Sequence, residues 1–114
     1  MKRNLFYALT LALSAACMLL ASYLWWDPPL LAALLAANAA LLIWIGARPK
    51  HDLLLFVLAG LLGAGAESYA ISRYAWSYTL PWKAGIPYWL ILVWGTAGIF
   101  LARLSDAIKE NLKI

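Results

Sequence analysis

The sequence predicts an all-α polytopic membrane protein, a four-transmembrane-helix bundle forming a single membrane domain over residues 1–114. Three observations carry this. Hydrophobic residues make up 66% of the chain and charged ones only 12%, where soluble domains average nearer ~25% charged. Four apolar runs stand out, each near the ~20 residues that cross a bilayer. Lysines and arginines fall between those runs or at their ends. Backbone groups in hydrocarbon must bond internally, so the runs read as helices.

The first helix is expected over about 5–25. Its opening Met-Lys-Arg resembles the start of a signal peptide, and Ser14-Ala15-Ala16-Cys17 resembles a lipoprotein cleavage site. Hydrophobicity continues past Cys17 to Trp25, however, which favours an uncleaved helix with Cys17 as a small packing residue. The second helix is expected over about 30–46, with Pro28 and Pro29 where a helix can begin. Asn38 at its middle suits an interhelical hydrogen bond worth ~1 kcal/mol. The third, over about 53–72, contains Glu67. The fourth runs over about 87–104, with Gly95 and Gly98 as packing residues. The tail 105–114 puts Ala107, Ile108 and Leu112 on one side, an interfacial extension of that helix.

The connector from Arg73 to Ile86 is too long and aromatic for a simple turn. Tyr74, Trp76, Tyr78 and Leu80 alternate with smaller residues, predicting an extended segment with one apolar face. Pro81, Gly85 and Pro87 forbid a continuous helix there.

Charge sets the orientation. Lys2, Arg3, Arg48, Lys50, Arg103, Lys109 and Lys113 fall on one side and only Arg73 and Lys83 on the other. By the positive-inside rule both termini are cytoplasmic, in a bacterial-type inner membrane. The net charge of +4 is explained by this bias and does not point to nucleic acid. One cysteine and one histidine give no disulfide framework and no metal site. No phosphate loop, nucleophile elbow or haem motif is present, so no cofactor is expected. His51 and Asp52 read as a solvated pair in the cytoplasmic connector.

Glu67 stands where lipid disfavours charge. From a helix start near Asp52 it lies about 22 Å along the axis, in the outer third of the membrane. A charge at helix centre costs about 2.5–3.5 kcal/mol on insertion scales, so such residues face the protein interior and mark sites. Gly60, Gly63, Ala64, Glu67 and Ala70 share one helix face, and small residues there admit a close neighbour. The alternative is a structural pairing of Glu67 with Arg73 or Lys83. Aromatic residues are lopsided too. Tyr23, Trp25, Trp26, Tyr69, Tyr74, Trp76, Tyr78, Trp82, Tyr88 and Trp89 map to the outer half, against Tyr7 and Trp44 at the inner interface. Glu67, Arg73, Trp76, Tyr78, Lys83, Tyr88 and Trp89 are therefore the candidate ligand-binding residues, suited to an amphiphilic or cationic ligand. Catalytic residues are not assigned.

The stretch from Glu67 to Leu104 carries Trp76-Ser77-Tyr78, then Gly85-Ile86-Pro87-Tyr88-Trp89, then Trp94-Gly95. It resembles a widespread set of small bacterial membrane proteins of unassigned function, and loosely the bisanhydrobacterioruberin hydratase type of carotenoid-biosynthesis membrane protein. The resemblance covers about a third of the chain. It implies that Glu67 and the Gly85-Ile86-Pro87 turn belong to one site.

The expected function is the binding or handling of a hydrophobic or amphiphilic small molecule, of lipid or isoprenoid type, at an outward-facing, aromatic-lined site around Glu67. Two alternatives stand beside it. One is an accessory or scaffolding subunit, partnered by another membrane protein or by copies of itself. The other is an isoprenoid- or carotenoid-modifying enzyme, with Glu67 as general acid and Tyr69 or Tyr78 as second group, or a small transporter.

Overall fold

The computed structural model describes residues 2–112. Lys113, counted above with the cytoplasmic charges, and the last residue of the tail lie outside them. The described residues form four α-helices and one short 3₁₀ turn, without a strand: α1 (Arg3–Leu24), α2 (Pro28–Trp44), α3 (Pro49–Ser72), the turn Lys83–Gly85 and α4 (Leu90–Leu112). Three segments, Arg3–Leu24, Pro49–Ser72 and Lys83–Leu112, are long and apolar enough to cross a membrane, and Pro28–Trp44 is a shorter apolar helix.

The ends of the helices differ from the expected ones for local reasons. Pro28 and Pro29 start α2, with the Asp27 side chain accepting a hydrogen bond from Leu30 N at 3.4 Å. Pro49 starts α3 earlier than expected, because proline's fixed φ suits the first turn. Helix α4 begins at Leu90 rather than at Pro87. It then runs unbroken to Leu112, so the predicted extension is the same helix.

Helix α2 packs along α1 and α4 along α3, whereas α3 touches α2 only slightly. α1 packs on α2 and α4, while α3 packs chiefly on α4 and makes no contact of note with α1. The α3–α4 contact is the closest. A Cβ on Gly60 would stand 2.7 Å from the Ile91 carbonyl oxygen, one on Gly95 would meet Phe56, and one on Gly98 would meet Ala59. Small residues on both helices thus set the separation. Between α1, α2 and α4 lies an apolar core of Cys17, Leu31, Leu35, Trp89 and Leu90. Asn38 Nδ2 donates to the Leu13 carbonyl at 2.9 Å, the interhelical bond expected of it.

At the end holding the α1 N-terminus and the α4 C-terminus, charges interlock. Arg103 donates to Asp52 at 2.8 Å and to Thr10 at 3.2 Å, and its guanidinium lies 4.7 Å from the Phe6 ring centroid. Asp52 and Arg103 are 6% and 5% exposed. The expected pairing of His51 with Asp52 is present, His51 Nδ1 lying 3.0 Å from Asp52 Oδ1 with its ring exposed, but Asp52 is not solvated: its side chain is covered where α4 runs past the start of α3. Outside this buried pair lie Arg3–Glu110 at 3.3 Å and Arg48–Asp106 at 3.6 Å. A Cβ on Gly46 would run into the Asp52–Arg103 pair, so α1, α3, α4 and the turn after α2 meet there.

Candidate functional site

At the opposite end Glu67 projects from the last third of α3. The chain after it is turned back by the way α3 ends. Ala75 N donates to the Ala70 carbonyl at 3.0 Å and Tyr74 N to the Ile71 carbonyl at 2.9 Å. This is the Schellman pattern, with Tyr74 at φ 66° in the left-handed position usually given to glycine. The reversal aims the next residues at the face of α3 just left behind.

Trp76 and Tyr78 are then two apart on an extended segment and fall on one side of it. Trp76 Nε1 donates to Glu67 Oε1 at 3.2 Å and the Tyr78 hydroxyl to the same oxygen at 2.5 Å. Trp94 Nε1, from α4, donates to Oε2 at 2.5 Å. The predicted alternation from Tyr74 to Leu80 does not hold as a whole: Tyr74 is taken up in the helix cap and is 95% exposed, and Trp76 and Tyr78 alone are brought to one side. Their polar tips reach a carboxylate. Burial first, then the hydrogen bond to Glu67 and its charge, push the Tyr78 hydroxyl well above its ordinary range, so it stays a donor at neutral pH.

The other predicted site residues sort into two groups. Trp89 is 6% exposed and lines a cavity of about 400 Å³ with Glu67, Tyr78 and Trp94. Lys83, Tyr88 and Arg73 do not join it through Glu67. The Lys83 ammonium lies 5.2 Å from the Trp82 ring centroid, Tyr88 meets Trp82 edge-on at 5.9 Å, and Arg73 caps α3. Among the described residues Glu67 has no ion pair, with Arg73, Lys83 or any other base. Tyr69, weighed as a second catalytic group, is 70% exposed, and its hydroxyl makes no hydrogen bond to Glu67. The Gly85 turn lies beside the site: Ser68, the residue after Glu67, donates to the Ala84 carbonyl at 2.8 Å.

Sequence reasoning missed Trp94. Its signal was Gly63, one turn before Glu67, because a Cβ there would overlap the Trp94 indole. The glycine leaves room for the ring that reaches the acid.

The Glu67 cavity is one end of a longer furrow. Met18, Val93 and Ala97 also line a second cavity of about 280 Å³. That one shares Leu11 and Phe100 with a third, of about 200 Å³, which ends at Arg103. Along α4 the bordering residues are Val93, Ala97, Phe100, Leu104 and Ala107, a single helical stripe. From Leu90 to Ala107 the furrow follows about 26 Å of helix. Its walls are largely apolar, with Glu67 at one end, Ser14 and Thr96 midway and Arg103 near the other. Two buried polar atoms without a hydrogen-bond partner, Ser14 Oγ and Trp89 Nε1, both border it. No protein-family model matches the chain, and no curated protein or solved structure matches it either.

Proposed function

We propose that the chain is a four-span membrane protein of a bacterial-type inner membrane that binds a single-chain lipid or isoprenoid-like amphiphile, with the Glu67 end outward. The observation that carries this reading is the furrow between α1 and α4, an apolar channel closed at its outer end by a hydrogen-bonded carboxylate. The tail of the ligand lies along Met18, Ala97 and Phe100, and its head meets Glu67, Tyr78 and Trp94.

The membrane setting is supported by what the bundle exposes. Leu11, Leu19, Leu54, Leu61, Leu62 and Leu101 are each more than half exposed, apolar surface of a kind that water-soluble monomers rarely gather. Helix α2, at about 25 Å, is short for ~30 Å of hydrocarbon. Asp27 and Arg48 at its ends mark where it leaves the apolar layer.

Ala97 borders both upper cavities, so Ala97→Trp fills the furrow while leaving the Glu67 donors in place. Native mass spectrometry of the protein extracted in mild detergent should show a bound small molecule on the wild type. In Ala97→Trp that species should fall at least about ten-fold, a loss of ~1.4 kcal/mol in binding. Equal retention by the variant would remove the furrow from the account.

A further inference from the structure

The furrow reading leaves open which head group its polar end selects, and the following rests on that reading. We infer that the Glu67 end recognises a positively charged head, an alkylammonium, so that the ligand is a cationic single-chain amphiphile.

The hydrogen bonds at Glu67 suit an anion. Trp76, Tyr78 and Trp94 all donate to it, and an indole N–H has no means of accepting. Among these three groups a protonated carboxyl would have only the Tyr78 hydroxyl to donate to, since both indoles can only donate. These partners stabilise the negative charge without cancelling it, and no Lys, Arg or His forms an ion pair with it among the described residues. The two bases of this end are otherwise placed, Lys83 over Trp82 and Arg73 at the helix cap.

An ionised carboxylate offers about four acceptor positions. Three are filled from the protein, and Glu67 still borders the cavity. A net negative charge therefore faces an apolar space ringed by Tyr78, Trp89 and Trp94. In such surroundings charge is poorly screened, and aromatic rings add their own attraction for cations. An anionic head would meet like charge across a short gap, which costs binding. A neutral head would leave the charge uncompensated. The complement of this end is a cation attached to a chain.

The test uses three probes with one tail: hexadecyltrimethylammonium, hexadecyl sulfate and hexadecanol, each titrated onto the full chain in an uncharged maltoside detergent and read by native mass spectrometry. The wild type should hold the ammonium probe at least about ten-fold more tightly than the sulfate, with the alcohol between them. Glu67→Gln should erase this ranking. Because that change also disturbs the donor set, Ser22→Lys provides a second arm. Ser22 borders the same cavity and bonds only the Met18 carbonyl, so the lysine adds a competing cation and removes no donor to Glu67. It should reverse or abolish the ammonium preference in a folded protein.

Equal binding of all three probes would overturn the cationic head and leave the furrow intact. Preference for the sulfate would overturn the cationic head. An ammonium preference that survives Ser22→Lys unchanged would show that Glu67 is not its source. Failure of every probe to bind would remove the furrow reading and this inference together.

Discussion

Asp52→Asn is expected to lower stability by about 3–5 kcal/mol, the cost of leaving a buried charge without its partner. The pair is covered by α1, α3, α4 and the turn after α2, and the guanidinium has only Thr10 and the Phe6 ring besides Asp52. Neither replaces a carboxylate. Thermal unfolding in detergent should therefore show a large drop in Tm. Arg103→Met alone should also destabilise, though less, since it leaves the buried Asp52 only the half-exposed His51 as a partner at 3.0 Å. The double variant Asp52→Leu with Arg103→Met should regain most of the loss, since well-packed apolar groups can replace a buried ion pair at little cost. A loss below about 1 kcal/mol in the single variants, typical of exposed pairs, would mean that water reaches the pair.

Gly60→Leu should be nearly as damaging. The new Cβ would stand 2.7 Å from a backbone oxygen of α4, and a carbonyl within a helix has no rotamer by which to move aside. Overpacking typically costs about 1–3 kcal/mol, and the upper end or more is expected here because two backbones must part. Gly63→Leu should act differently. It meets the Trp94 indole, so it should loosen the bond to Glu67 as well as the packing. Leu61→Ala is the control: Leu61 is 56% exposed, and its loss should change Tm little. Equal effects of Gly60→Leu and Leu61→Ala would place the glycine face toward the surrounding solvent or lipid.

The helices were legible because the signals that define them are local. An apolar run, a proline at its head and a charge beyond its end are read from neighbouring residues. The same locality made part of the Glu67 site visible. Trp76 and Tyr78 sit close in sequence to the acid, at a spacing that puts them on one side of an extended segment. Trp94 lies on another helix, and its approach depends on the register of α3 against α4. That register is set by Gly60, Gly63, Gly95 and Gly98 together. Their smallness was readable, but the way they interlock was not.

Arg103 and Asp52 show the opposite failing. Each lies near the end of an apolar run, where charges are usually solvated, and each was counted as a flanking residue. What buries them is that α4 continues to Leu112, carrying Arg103 about 13 Å in from the end of its helix and onto the start of α3. The proposed pairing of Glu67 with Arg73 or Lys83 came from nearness in sequence. It gave way because the Schellman reversal after Ser72 brings indole and phenol donors to the acid instead.

In the proposed orientation the bundle spans the membrane, with the carboxylate site opening outward and the buried ion pair at the cytoplasmic end. Cysteine accessibility in intact cells tests this most directly. Thr79 and Lys50 are both exposed, at opposite ends of the bundle, while the native Cys17 is 2% exposed and should stay silent. A membrane-impermeant maleimide should label Thr79→Cys from outside and should label Lys50→Cys only after the membrane is opened. Labelling of Lys50→Cys in intact cells with Thr79→Cys protected would reverse the orientation and place the Glu67 site on the cytoplasmic face, contradicting the account.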